Sequence, residues 1–170
     1  MKKISVPLDA KQIQSLKAGD EVLLTGDLFT ARDQAHKRLI AAKKLPLDLK
    51  GQVIYYCGPT NTPKGEVIGS CGPTTSSRMD GYTARLLRKG LSAMIGKGRR
   101  SKEVRLAIKK HKAVYFLAYA GCGALVSKYV RKVVPVAYQD LGPEAIVRLE
   151  VKDLPLIVAI DSKGKDIYEA

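Results

Sequence analysis

The sequence predicts a layered domain of the α/β or α+β class, built on a mixed β-sheet. The 170 residues are 45% hydrophobic, which suits one globular domain over 1–170 with its own core. The patterns give about seven or more strands and about three or four helices. Strands and helices alternate at first, which favours parallel βαβ units, and the chain then ends in a run of strands.

The predicted strands are short runs of apolar and β-branched residues. They cover 21–25, 52–57, 66–70, 91–95, 113–120, 132–138, 145–151 and 156–160. Gly26-Asp27 is expected to turn the chain after the first strand, and 161–164 is expected to form a hairpin turn. Pro135 places its strand at a sheet edge or beside a bulge, because proline has no backbone donor.

The predicted helices begin at polar residues that can cap them. Thr30 and Asp33 have the spacing of a capping box, so a helix is expected from there to about Lys44. Ser101 is expected to cap a basic helix that ends near Lys110, and a shorter helix is expected over 124–130. Another helix follows a polar run in the middle of the chain.

That polar run, GSCGPTTSSRMDG at 69–81, combines a glycine turn, a proline, consecutive hydroxyl residues and an arginine. Ser77 and Asp80 have the spacing of a second capping box, which predicts a helix from about Arg78 to Gly90. The N–H groups of a helix start and the Arg78 guanidinium together suit a carboxylate or a phosphate. Taken alone, the pattern is more often an ordinary helix cap beside a solvated arginine.

Two further cations lie where an anion could bind. Arg32 is expected in the first turn of its helix, where a cation opposes the helix dipole, and this mismatch indicates an anionic ligand. Lys97 lies between Gly96 and Gly98, where a ligand can approach the backbone closely. A solvent-facing turn lysine explains the same pattern equally well.

The composition restricts the possible classes of function. The net charge of +14 permits nucleic-acid binding, but it equally suits a site for dianions or an acidic partner. Aromatic residues do not interleave with the basic cluster at 97–112, which disfavours single-strand binding. The longest uncharged run, 113–127, is too short to span a bilayer. With no signal-peptide pattern at the N-terminus, a cytoplasmic protein without membrane attachment is expected.

The three cysteines are Cys57, Cys71 and Cys122. Their odd number and the lack of a CxxC pattern indicate neither a disulfide framework nor a zinc site. Three thiolates could in principle hold an iron–sulfur cluster, but small buried residues in turns are the favoured interpretation.

Several motifs resemble one enzyme family. The run GSCGPTTSSRMDGYTARLL, followed by SAMIGKG, is similar to the beta region of the iron–sulfur hydro-lyases, the class I fumarate hydratases and tartrate dehydratases. Three more stretches match in the same order: LFTARDQAHKRL at 28–39, YYCGPT and GEVIGS within 55–70, and LGPEAIVRLEVKDLPLIVAIDSKG at 141–164. The resemblance spans nearly the whole chain and implies a swivelling β/β/α domain.

The resemblance also implies a function. The chain would be the beta subunit of a two-chain enzyme that interconverts fumarate and malate, with tartrate or a related hydroxy-acid as the alternative substrate. A [4Fe–4S] cluster would lie on the alpha subunit, and this chain would hold no metal. Assembly as a heterotetramer, or a homodimer of beta chains, is expected. A basic nucleic-acid-binding domain and a regulatory or scaffold subunit are the competing hypotheses.

The family motif assigns roles to individual residues. Thr74 matches the residue that removes the substrate proton, although its neighbour Thr75 stays open as the base. The positions implied to bind substrate are Arg32, Arg78, Lys97, Gly72 and Thr75. A dianionic substrate accounts for three cations in one site.

Overall fold

The computed structural model describes residues 1–119 and 123–169. Its strands are β1 (Lys2–Ser5), β2 (Glu21–Thr30), β3 (Val53–Tyr55), β4 (Ala93–Gly96), β5 (Val114–Leu117), β6 (Val130–Ala137) and β7 (Ile146–Ile160). The α-helices are α1 (Ala10–Ser15), α2 (Asp33–Ala41), α3 (Asp80–Arg88), α4 (Lys102–His111) and α5 (Gly123–Ser127). Short 3-10 turns cover Ser76–Met79, Gln139–Glu144 and Ile167–Glu169. No helix in these described ranges is long and apolar enough to cross a membrane.

The sheet is mixed, as predicted. Strands β1 to β5 lie parallel to their neighbours in the order β1-β2-β3-β4-β5, and β7 runs antiparallel beside β5. The long β7 also pairs antiparallel with β2 and with β6. The hydrogen-bonded pairings therefore run from β2 through β3, β4 and β5 to β7, and from β7 back onto β2.

Two apolar cores lie on opposite faces of the parallel strands. Successive strand residues point to opposite faces, so Val53 and Tyr55 enter one core while Ile54 enters the other. The first core packs the parallel strands against β7, with Leu149 and Val158. The second packs them against the helices, and its helical residues include Ala35, Leu39, Leu86, Val104 and Ile108. Two strand layers and one helical layer give the β/β/α arrangement that the resemblance implies.

The turn predicted at Gly26-Asp27 is wrong. Strand β2 continues through these residues, and its pairing with β7 shifts register between Leu24 and Gly26. Gly26 has φ +123°, and a Cβ there would lie 2.8 Å from the Val6 carbonyl oxygen. The glycine therefore permits a bulge and a close strand approach rather than a turn.

Neither predicted capping box forms. Thr30 ends β2, and its hydroxyl donates to the Ala145 carbonyl at 3.3 Å and accepts from the Val147 amide at 3.2 Å. Helix α2 begins with Arg32 as N-cap, without a side-chain cap hydrogen bond, and ends at Ala41 rather than Lys44.

The second box fails because its carboxylate is used elsewhere. Ser77 lies inside the 3-10 turn that precedes α3, and Met79 is the N-cap of that helix. The Asp80 carboxylate accepts from Arg100 and from the Ser101 amide. Gly90, with φ +105°, follows the end of α3 as predicted.

Two of the remaining strand predictions differ from the structure, and two local predictions are confirmed. No strand forms at 66–70, where Ser70 instead accepts from the Thr60 amide at 2.9 Å within a folded loop. The segments 145–151 and 156–160 are parts of the single strand β7. The local predictions at Ser101 and Pro135 are confirmed, since Ser101 caps α4 and β6 is an edge strand with a register shift after Pro135.

Candidate active site

The predicted site residues lie at the carboxyl ends of the parallel strands. Strands β2, β3, β4 and β5 end at Thr30, Tyr55, Gly96 and Leu117, and the loops that follow them share one edge of the sheet. Ligands of α/β proteins bind preferentially at this edge. Residues 69–79, the part of the polar run that precedes α3, cross this edge of the sheet.

Backbone hydrogen bonds fix the two threonines at this edge. The Thr74 amide donates to the Tyr56 carbonyl at 2.6 Å, directly after β3. Thr75 forms an isolated parallel bridge with Lys97, directly after β4. Thr74 is half-buried and Thr75 is exposed. The structure thus brings Thr74, Thr75 and Lys97 together, as the motif predicts.

A buried serine joins the polar run to the Lys97 loop. The Ser76 amide donates to the Lys97 carbonyl at 3.0 Å, and the Lys97 amide donates to Ser76 Oγ at 3.1 Å. The Tyr115 hydroxyl lies 2.9 Å from both Ser76 Oγ and the Gly98 carbonyl oxygen. A Cβ at Gly96 would lie 1.9 Å from Ser76 Oγ, so glycine is required under this side chain.

Arg32 lies at the same edge as the N-cap of α2. Its guanidinium packs over Gly58, where a Cβ would lie 2.6 Å from Nη1. Among the described residues, its buried Nε has no hydrogen-bond partner. A buried donor without a partner is costly, so this nitrogen is suited to receive an anionic group.

Arg78 is held by a carboxylate of the neighbouring helix. Its Nε and Nη2 donate to the two oxygens of Asp33 at 3.2 and 2.7 Å. The Arg78 side chain is 49% exposed and the Asp33 side chain 21%. This pair places Arg78 beside the start of α2, next to Arg32.

The polar run packs closely against α5 at Gly72. A Cβ at Gly72 would lie 3.4 Å from Gly123 Cα, and one at Gly123 would lie 2.9 Å from the Gly72 nitrogen. A Cβ at Gly123 would therefore be too close, whereas one at Gly72 would lie at an ordinary van der Waals distance, so the contact does not account for glycine at Gly72. Its predicted substrate contact stays a prediction.

Arg100, which the sequence pattern does not distinguish from the exposed Arg99, is a buried part of the support. Its side chain lies between the rings of Tyr56 and Tyr115, with centroids at 5.3 and 4.9 Å. It donates to Asp80 and to Thr83, each at 2.7 Å. Burial acts to lower the pKa of Arg100, but the neighbouring tyrosines and Asp80 keep it raised above its usual value.

His36 is buried behind Arg32. Its Nδ1 lies 2.8 Å from the Arg32 carbonyl oxygen, and its ring packs edge-on against Tyr56 with centroids 5.4 Å apart. Burial lowers the pKa of His36 to about 4, which the bond to Arg32 only partly offsets. The ring is therefore neutral near pH 7.

The structure describes two of the three cysteines. Cys57 and Cys71 are buried, and burial raises the pKa of Cys57 well above its usual range and that of Cys71 to about 11. Cys122 lies outside the described residues. Within the two described ranges, no group of three or more His, Cys, Asp or Glu residues could hold a metal.

Sequence comparison identifies the family. A sequence model of the family described as Fumarase C-terminus matches residues 2–170. This chain belongs to that family. The resemblance read from the motifs is therefore confirmed.

The similar proteins include two kinds of hydro-lyase. An Escherichia coli L(+)-tartrate dehydratase subunit beta is 37% identical over 174 residues, which cover 98% of this chain and 87% of that protein. A Methanocaldococcus jannaschii protein, provisionally named as the same kind of subunit, is 41% identical over 172 residues, with 95% and 88% covered. The anaerobic class I fumarate hydratase of Escherichia coli is 40% identical over 164 residues, or 93% of this chain.

The two kinds of relative differ in length. This chain spans most of each tartrate dehydratase beta subunit but only 30% of the Escherichia coli fumarate hydratase. It also spans 30% of the fumarate hydratase 2 of Leishmania major, to which it is 38% identical. The fumarate hydratases are thus longer proteins, and this chain corresponds to one part of them.

Proposed function

We propose that this chain is the beta subunit of a hydro-lyase that reversibly removes water from a four-carbon hydroxy-dicarboxylate. The substrate pair is malate and fumarate. The observation that carries the proposal is the convergence of Thr74, Arg32, Arg78 and Lys97 on one sheet edge. The similar proteins named as fumarate hydratase and tartrate dehydratase support the same reaction class.

The three cations bind the two substrate carboxylates. Each follows a different element, with Arg32 after β2, Lys97 after β4 and Arg78 in the turn before α3. Guanidinium groups bind planar carboxylates through two parallel hydrogen bonds, and the lysine adds a point charge. Cations spaced around a dianion fix its orientation as well as its position.

Thr74 removes the proton. The bond between that proton and the carbon next to the hydroxyl-bearing carbon breaks, and its electrons form the double bond. The hydroxyl group leaves as hydroxide, which together with the proton taken by Thr74 makes up the water released. A threonine hydroxyl is a weak base, so the site must be shielded from solvent and must hold the carbon close to Thr74 Oγ. The half-buried position of Thr74 supports this role over the exposed Thr75.

The cluster belongs to a partner alpha subunit. Class I fumarate hydratases and tartrate dehydratases are iron–sulfur enzymes, and within the described residues no group of three or more His, Cys, Asp or Glu side chains could hold a metal. The beta-subunit names of the similar proteins imply the partner. We therefore assign to this chain only substrate binding and proton transfer.

Tartrate is the second candidate substrate, because this chain covers nearly all of the tartrate dehydratase beta subunit at similar identity.

A nucleic-acid-binding role finds no support in the similar proteins. The basic cluster at 97–112 is also not a uniformly solvated strip, since Arg100 is buried inside it.

The test is activity of the two-subunit complex. The chain is co-expressed with a cysteine-bearing alpha-type chain, purified without oxygen, and assayed with malate and with tartrate. We expect a higher kcat/KM for malate, and loss of activity in Arg78→Ala but not in Arg38→Ala, an ion-paired arginine of α2. A higher value for tartrate selects the second candidate. A complex inactive on both contradicts the proposal.

A further inference from the structure

An acidic residue lies among the cations of the proposed site. Asp33 follows Arg32 directly, begins α2, and accepts two hydrogen bonds from Arg78, at 3.2 Å from Nε and 2.7 Å from Nη2. The proposed chemistry uses no group of this kind. A carboxylate beside a dianion also repels it, so its presence calls for a physical reason.

The two arginines are held in different ways. The Arg32 guanidinium packs over Gly58, and the backbone carbonyl oxygen of Arg32 lies 2.8 Å from His36 Nδ1. Arg78 is about half exposed, so packing restrains its long side chain much less. An arginine free to sample many rotamers loses that freedom when it binds a ligand. Asp33 supplies the restraint that packing does not.

We propose that Asp33 is a positioning residue for Arg78, an inference that rests on the proposed function. A guanidinium has five N–H donors, and Asp33 engages two of them on the Nε edge. The edge that carries Nη1 is then presented to a substrate carboxylate in a fixed orientation. Asp33 acts through Arg78 and does not itself touch the substrate.

The kinetic effect of one substitution distinguishes this role from a simple charge effect, because the two roles predict changes in opposite directions. Asp33→Asn keeps the shape and removes the charge. If Asp33 contributed only negative field, the variant would bind the dianion more tightly and its KM would fall. If Asp33 orients Arg78, kcat/KM falls by about 10-fold or more, because small misplacements of binding groups are costly. In an Arg78→Ala background, Asp33→Asn then adds no further loss.

The matched control is Asp140→Asn. Asp140 also receives two hydrogen bonds from an arginine of α2, at 2.8 and 2.5 Å from Arg38, and the Arg38 side chain is 41% exposed, close to the value for Arg78. We expect its kcat/KM to equal that of the wild type. All variants are measured as the two-subunit complex, with melting temperatures recorded beside the kinetics.

Each contrary outcome has its own meaning. An active wild type whose kcat/KM is unchanged or improved by Asp33→Asn overturns the inference and leaves the proposed function standing. A full additional loss in the Arg78→Ala background also overturns it, since Asp33 would then act by another route. A wild-type complex with no hydro-lyase activity overturns the proposed function, and this inference with it.

Discussion

Thr74 and Thr75 are adjacent, yet the fold gives them different surroundings. The Thr74 amide is bound to the Tyr56 carbonyl and the side chain is half-buried, whereas Thr75 is exposed and bridges Lys97. Neither threonine hydroxyl caps the turn that follows, because the N-cap Thr75 makes no side-chain cap hydrogen bond. Exchanging either hydroxyl for a methyl group therefore tests chemistry rather than capping.

We expect Thr74→Val to lower kcat by about 10²–10⁴-fold, the usual contribution of general acid–base catalysis. Substrate binding should survive, because Arg32, Arg78 and Lys97 remain. The variant complex should also lose exchange of the reacting substrate hydrogen with solvent deuterium. Thr75→Val, at the position implied to bind substrate, should raise KM but keep the hydrogen exchange and most of kcat. Wild-type turnover and exchange in Thr74→Val would exclude Thr74 as the base.

His36 makes folding stability depend on pH. Its folded-state pKa of about 4 lies below its ordinary value of 6.5, so between these values the unfolded chain binds more protons. Stability is therefore full above pH 6.5, falls as the pH decreases toward about 4, and at lower pH loses nothing more through His36. The loss is roughly 3 kcal/mol, from about 1.4 kcal/mol per pKa unit.

The measurement is urea unfolding at neutral and at acidic pH. The pH-dependent part of the unfolding free energy should shrink in His36→Gln. The same change at the other histidine, His111→Gln, should leave most of it, since His111 lies at the far end of α4 and is only half-buried. Equal pH dependence in wild type and His36→Gln would show that His36 is not the titrating group.

A sequence motif can select candidate site residues, but it does not contain the residues that would act through contacts with them. Thr74, Arg32, Arg78 and Lys97 lie in matching stretches. Asp33 accepts hydrogen bonds from Arg78, which lies 45 residues later in the sequence, and Asp80 accepts from Arg100, which lies 20 residues later. Such pairs depend on how helices pack, which local spacing does not contain.

Among the elements, α3 and α4 are joined through one buried ion pair. Arg100, just before α4, reaches Asp80 at the start of α3, and the Asp80 carboxylate also accepts from the Ser101 amide at 2.8 Å. Tyr56 and Tyr115 enclose the guanidinium. The same two tyrosines also hold the polar run, since the Tyr56 carbonyl accepts from the Thr74 amide and the Tyr115 hydroxyl bonds to Ser76 Oγ, so the pair supports the site as well as the helices.

Removing Arg100 should therefore destabilise the fold strongly. We expect Arg100→Met to lower the unfolding free energy by about 3–5 kcal/mol, the usual cost of leaving one partner of a buried pair without its countercharge. The exposed neighbour gives the control, and Arg99→Met, which removes only a cation–π contact with Tyr168, should change the unfolding free energy by about 1 kcal/mol or less. Adding Asp80→Asn to Arg100→Met should recover part of the loss in urea unfolding. A loss no greater than that of Arg99→Met would contradict this account.

Element boundaries show the same limit of sequence reasoning. Runs such as 52–57 and 113–120 identify β3 and β5 because apolar density is a local property. The prediction of a capping box at Thr30 is wrong because the Thr30 hydroxyl bonds to Ala145 and Val147, more than a hundred residues later in the sequence. Gly26 is similarly explained by the approach of Val6, which only the assembled sheet creates.

For the whole molecule, the charge and the exposed apolar residues both suit a partner chain. The net charge is +14. Tyr119 and Tyr168 are exposed and line one depression with Lys97, beside the proposed site. A site whose cations and base come from this chain still requires a group that assists departure of the hydroxyl. The proposed function assigns that group to the alpha subunit.

The isolated chain should therefore be colourless and inactive. Purified without oxygen and supplied with iron and sulfide, it should show no stable, stoichiometric iron–sulfur absorption, because the proposed function places the cluster on the alpha subunit and Cys57 and Cys71 are buried. The complex with the alpha subunit should show that absorption, and Cys57→Ala and Cys71→Ala should leave it unchanged there. A stable cluster in the isolated chain that disappears in these variants would make the cysteines ligands and overturn the division between the two subunits.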